Sequence, residues 1–162
     1  MNGLTLDQAR EIIAAARAHG DRVGLAPLTV VVLDAGGHVV AAEREDGASI
    51  KRFEIAFGKA HGALSLGLGS RALMTRAEQQ PFFIAAVTSV VGGALVPVPG
   101  GVLVKDDAGT LLGAVGVTGD TSDHDEDAAV VGVEAAGLIA QRSEEHTSET
   151  PVTDVSRMPS SA

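Results

Sequence analysis

The stretch GGVLVKDDAGTLLGAVGVTGDTSDHDEDAA, residues 100–129, decides how this chain folds. Two apolar runs, residues 102–104 and 111–117, flank the tetrapeptide Asp106-Asp107-Ala108-Gly109. A glycine in so short a connection takes positive φ and closes a β-hairpin, so Gly109 is read as the turn residue. Beyond the second run stand Thr121 and Ser122, whose hydroxyls suit a helix N-terminus. Asp125, three residues after Ser122, completes the pattern of a capping box. The segment therefore reads as a hairpin that feeds a helix.

The same grammar recurs upstream. Residues 28–33 form a β-branched run, the turn Asp34-Ala35-Gly36-Gly37 follows with Gly36 as its turn residue, and residues 38–42 return as the partner strand. The Asp-Ala-Gly repeated at Asp107-Ala108-Gly109 is convergent turn chemistry rather than duplication. Thr5 with Gln8 predicts a capped helix with Leu6, Ala9, Ile12, Ile13 and Ala16 on one face, ending near His19-Gly20. From Ser49, the residues Ile50, Phe53, Phe57, Ala60, His61 and Leu64 recur at helical spacing. After glycines at 67–69 a shorter helix is expected over 71–78. Pro81 interrupts it, and residues 82–91 are apolar without a period that decides their conformation. Residues 125–140 read as a closing helix with Ala128, Val131, Ala135 and Leu138 inward. The order α-β-β-α-α-β-β-α predicts an α+β domain with an antiparallel sheet.

The chain has 162 residues, 45% hydrophobic but 2% aromatic, with no Trp, Tyr or Cys. That length makes one domain with a real core, built from Val, Leu, Ile and Ala. The lack of Cys excludes disulfides, thiolate metal sites and cysteine nucleophiles, and fits a reducing cytoplasm. A net charge of −9 opposes binding to phosphate backbones, and base-stacking aromatics are scarce, so no nucleic-acid partner is expected. No apolar run approaches the ~18 residues of a membrane span, and no basic signal segment opens the chain, so a cytoplasmic protein is expected. Residues 141–162, QRSEEHTSETPVTDVSRMPSSA, are rich in Ser, Thr, Pro and Glu and read as disordered. Within them RSEEHTSE resembles the translated read-through of a sequencing adapter. One domain is therefore placed at 1–140, with the natural protein expected to stop or diverge near Ala140.

Three segments carry a resemblance: TVVVLDAGGHVVAAEREDGAS at 29–49, FEIAFGKAHGAL at 53–64 and the opening stretch at 100–129. In this order they resemble the GlcG/HbpS haem-binding family, also labelled the haem-degrading domain and found as the C-terminal domain of propanediol-utilisation adenosyltransferases. The likeness covers most of residues 4–140 and is most specific in its last motif. It implies a profilin-like α+β fold, about five antiparallel strands packed with helices, assembling into homo-oligomers from dimers to larger rings. It also implies a small-molecule binding protein, holding haem or a carboxylate-bearing ligand, accessory to catabolism or to haem or redox sensing. Two other classes stay open: an enzyme acting on a small hydroxy acid or aldehyde, with Asp34, Lys59 and His61 as acid/base groups, and a structural partner in a catabolic complex.

Haem needs an apolar slot, usually an axial His, Cys, Met or Tyr, and cations near its propionates. His61, one turn after Phe57 on the apolar side of its helix, is the iron candidate; the plain alternative is a core or interface histidine satisfied by a carbonyl. Lys59, with Lys51 and Arg52 close in sequence, is the candidate for carboxylates. Arg44, amid Glu43, Glu45 and Asp46, resembles an arginine that follows this strand in relatives; it holds a ligand carboxylate or a surface ion pair. His38 is expected exposed beyond its turn and His19 at a helix C-terminus. Asp123, Asp125, Asp127 and Glu134 copy EF-hand spacing, but Ala128 stands where a glycine is required and a strand precedes them, so no metal site is assigned. His124-x-Glu126 lacks the cysteines of a zinc deaminase. Gly113, Gly116 and Gly119 do not match a dinucleotide loop and instead favour close helix–strand packing. Ser65 or Ser70 with His61 and Asp34 is a conceivable triad without local support.

Overall fold

The computed structural model describes residues 3–143. In chain order they form helix α1 (Leu6–Val23), strands β1 (Thr29–Asp34) and β2 (Val39–Arg44), and helices α2 (Arg52–Leu66), α3 (Ser70–Gln79) and α4 (Pro81–Val90). Strands β3 (Gly101–Lys105) and β4 (Leu111–Thr118), helix α5 (Ser122–Ala135) and strand β5 (Ile139–Gln141) follow. The five strands make one sheet in the order β2-β1-β4-β3-β5, with every pairing antiparallel. This is the α+β architecture expected of the chain.

The two hairpins turn on one piece of chemistry. Asp106 Oδ1 accepts the amides of Ala108 and Thr110, each at 2.9 Å, and Gly109 takes φ 83°. Asp34 Oδ1 accepts the amides of Gly36 at 2.9 Å and His38 at 3.0 Å, and Gly37 takes φ 85°. Asp34 thus corresponds to Asp106 and not to Asp107. Gly37, rather than Gly36, supplies the left-handed residue that only glycine adopts without strain.

Helix limits differ from expectation where packing outweighs local signals. The Thr5–Gln8 capping box forms in both directions, at 3.0 and 3.1 Å. α1, however, continues past Gly20 to a cap at Gly24. Gly20 is small for another reason: a Cβ there would meet Leu28 Cδ1 at 2.9 Å. α5 is capped by Thr121, which accepts the His124 amide at 3.3 Å, and the Ser122–Asp125 box does not form because the Asp125 carboxylate turns inward. α5 stops at Ala135, and residues 139–141, of which 139 and 140 are expected as helix and 141 as tail, form an edge strand on β3 instead. Gly69 N donates to Ser143 O at 3.4 Å, so the folded unit runs past Ala140 to Ser143, while residues 144–162 of the expected tail lie outside the described residues. Pro81, read as an interruption, is the first residue of α4, where its missing N–H costs nothing.

The sheet has a helical layer on each face. On one side α1 and α5 bury Ile12, Ile13, Val130 and Val133 against Val30, Val32, Val115 and Val117. On the other, Ala56, Ala60 and Ala63 of α2 lie on Val31, Leu33, Leu103 and Ala114. Small side chains bring α2 so close that a Cβ on Gly116 would collide with the Ala56 carbonyl oxygen. α4 buries Ile84 and leaves Phe82 90% exposed.

Candidate functional site

α2 positions the aromatic and ionic groups singled out in the sequence, and it does so on different faces. With its alanines on the sheet, Phe53, Phe57 and His61 stand in a row along one flank, because residues four apart share a face. The rings stack: Phe53 to Phe57 at 6.1 Å between centroids, Phe57 to His61 at 5.2 Å. Gly58 and Gly62 leave room for the segment 94–96 to cross the helix, and the Gly58 carbonyl accepts the Val96 amide at 3.1 Å. That crossing places the Ala94 carbonyl 2.9 Å from His61 Nδ1. A carbonyl accepts only, so Nδ1 carries a proton and donates, and in the neutral ring Nε2 is the lone-pair nitrogen.

Nε2 faces the β1–β2 turn. A Cβ on Gly37 would lie 3.5 Å from His61 Cδ2 and 3.9 Å from Nε2, so the absent side chain at Gly37 keeps the ring edge open. The resulting hollow of ≈ 160 Å³ is lined by Ala35, Gly36, Gly37, His61, Leu64 and Ser65. His38 lies across the turn with its side chain 81% exposed and Nδ1 3.2 Å from Asp34 Oδ1. Two backbone amides and this histidine hold the Asp34 carboxyl below its ordinary range. Beyond the turn, Ala42 of β2 pairs with Val31, on the α2 side of the sheet, and is exposed. α2 therefore leaves this side of β2 uncovered from Ala42 to Arg44.

Lys59 and Arg44 are not brought to His61. Lys59 is on the opposite flank of α2, buried, its Nζ donating to Val117 O at 2.9 Å and to Asp125 Oδ2 at 3.1 Å. Burial works against both charges, drawing the Lys59 ammonium down and the Asp125 carboxyl up, while their attraction opposes it in each. Asp125 also accepts the Asp120 amide at 2.9 Å. The ammonium expected to meet a ligand carboxylate thus meets Asp125 of its own chain. Arg44 is exposed and donates to Ala48 O at 3.0 Å; its neighbours Glu43 and Glu45 point the other way, onto Arg17.

The remaining candidates have other duties. Ser65 Oγ donates to the His61 carbonyl at 2.8 Å, and buried Ser70 exchanges hydrogen bonds with Gly101, so neither hydroxyl forms a triad with His61 and Asp34. Asp123 and buried Glu126 hold Arg71, which splits the acidic run among separate partners. A larger hollow of ≈ 290 Å³ is lined by Arg71, Thr75, Arg76 and Gln79, and its Arg71 is already engaged by these two carboxylates. Sequence reasoning missed the carbonyl of Ala94, for which the glycines four apart in α2 were the available sign.

Comparison with known proteins agrees with this architecture. A family model described as haem degrading protein HbpS-like matches residues 4–134. Among solved structures, a PduOC–haem complex is similar with TM-score 0.75 and 24% identity over 84% of this chain and 96% of that one. The Klebsiella pneumoniae protein ORFY is similar with TM-score 0.76 and 24% identity, over 85% of this chain and 92% of that one. A double mutant of HbpS from Streptomyces reticuli is similar with TM-score 0.70 and 28% identity, over 83% of this chain and 87% of that one. No curated protein matches the chain. No helix among the described residues is long and apolar enough to cross a membrane. With the family model spanning four of the five strands, the chain belongs to the family described as haem degrading protein HbpS-like.

Proposed function

We propose that this chain is a haem-binding protein whose iron contact is His61. One observation carries the reading: Nδ1 is committed to the Ala94 carbonyl at 2.9 Å, so Nε2 presents its lone pair to the hollow under the Gly36–Gly37 turn. A carbonyl on the far nitrogen is the usual way a protein sets the tautomer of an iron- or metal-binding imidazole. Haem, when bound, supplies a redox-active Lewis-acidic iron. The rest is the work of side chains: Phe57 and Phe53 offer an apolar wall, exposed Ala42 the floor, and Arg44 a cation for a carboxylate at the end of β2. The family match and the likeness to a haem complex support haem over other carboxylate-bearing ligands.

The hollow itself is smaller than the ~300–1,000 Å³ of enclosed ligand sites, so a macrocycle sits partly in it and partly over the uncovered β2. A second copy of the chain covers that open side in a homo-oligomer, an assembly supported by exposed Phe82 and Val90, 90% and 83% accessible, on α4. The protein serves as a cytoplasmic accessory to small-molecule catabolism or to haem or redox sensing. Haemin titration into wild type should give a shifted, saturable Soret band. His61→Ala should keep weak apolar binding and lose the shift; an unchanged band in that variant removes His61 from the iron.

A further inference from the structure

At the end of the sheet remote from His61, three strands align a row of polar side chains. Thr29 of β1 pairs with Arg44 of β2 on one side and with Thr118 of β4 on the other. All three share the α2 face, since Thr29 alternates with Val31 and Leu33, which pack on α2. Arg52, in the first turn of α2, reaches down to this row and donates from Nη1 to Thr118 Oγ1 at 2.8 Å and from Nε to Ser49 Oγ at 3.1 Å. Arg44 donates to the carbonyl of Ala48, the residue beside Ser49. Two guanidiniums thus converge on neighbouring residues.

Two further facts single the place out. Arg44 and Arg52 have no carboxylate partner among the described residues, although the chain carries a net charge of −9 and Arg17 and Arg71 each hold two carboxylates. Thr29 is fully buried, and its Oγ1 lacks a hydrogen-bond partner although it stands between Arg44 and Thr118. A valine has the same shape and would leave no orphaned hydroxyl there. Guanidiniums without a carboxylate partner, an unpaired hydroxyl and the N-terminal end of a fifteen-residue helix all favour negative charge in this neighbourhood.

We propose that Arg44, Arg52, Ser49, Thr29 and Thr118 form a site for a compact oxyanion, the carboxylate or phosphate group of a small molecule. The site does not depend on iron binding at His61. Its occupant bridges the two guanidiniums and takes the spare hydroxyl hydrogens of the threonine row, while β2, uncovered by α2, leaves an approach from solvent on the Arg44 side.

Isothermal titration of the full chain with inorganic phosphate and with acetate, at low ionic strength, tests this. Wild type should bind at least one of the two at a single saturable site. Arg44→Gln and Arg52→Gln should each weaken binding about tenfold or more, the loss of a charge-assisted hydrogen bond. Arg44 is exposed, so its substitution leaves the fold alone. Thr29→Val should weaken binding and Thr29→Ser retain it, and His61→Ala, which loses the Soret shift, should keep the wild-type affinity for phosphate and acetate. Comparing haemin with its dimethyl ester separates the sources: a preference for free haemin that vanishes in Arg44→Gln makes a propionate the occupant, and equal binding of both makes it a free small anion. No saturable binding of either anion, or affinity unchanged in the Arg44→Gln/Arg52→Gln double variant, overturns the site.

Discussion

The Lys59 side chain is 3% exposed, and only Asp125 and the Val117 carbonyl compensate the burial of its ammonium. Removing one member of such a pair strands the other in a dry place, so Lys59→Met or Asp125→Asn should each cost about 3–5 kcal/mol in urea unfolding. Removing both should cost clearly less than the sum, which a double-mutant cycle reads directly. A second ionic detail gives a pH test. At the start of α5, His124 Nδ1 lies 2.7 Å from Asp120 Oδ1, and Asp120 also accepts the Ala26 and Thr121 amides, which hold it at about 2. Asp120 raises the His124 pKa above 6.5. A raised folded value means the contribution is complete below about pH 6 and fades as pH climbs through that folded value. The stability gap between wild type and His124→Ala should therefore close as pH rises from about 6 to about 9, and a gap that widens over that range contradicts the contact.

At the level of elements, the turns were the most legible part of the chain. Asp-rich, glycine-ended connections and a Thr–Gln capping box act locally, so residues 106–109 and Thr5 reveal their roles without tertiary context. What stayed hidden depends on distant partners. Lys59 meets a carboxylate 66 residues away, and the Ala94 carbonyl that orients His61 is 33 residues away. The same limit explains the closing helix: Ile139 and Ala140 continue an apolar pattern, and only the free edge of β3 decides that they pair as strand. His61 itself was legible, since its spacing from Phe57 puts both rings on one flank. Two substitutions test the element geometry. Gly109→Ala forces a Cβ into the left-handed region and should cost about 1–2 kcal/mol. Gly116→Ala pushes α2 off the sheet and should cost about 1–3 kcal/mol, with lost near-sheet protection in hydrogen exchange over α2.

For the whole molecule, the division of labour lies across the sheet. The α1–α5 side is a conventional apolar core, whereas the α2 side is thin, built from alanine and glycine, and open along β2. An uncovered β2 and an exposed apolar α4 belong together if copies of the chain cover one another, so Phe82→Glu should shift the species seen by light scattering towards monomer. The central claim is that His61 gives the iron its nitrogen rather than shaping the pocket. Haemin bound to His61→Gly, with and without added imidazole, separates these roles. Imidazole should restore the wild-type Soret position in that variant, whereas a variant already matching wild type without imidazole, or unmoved by it, contradicts the account.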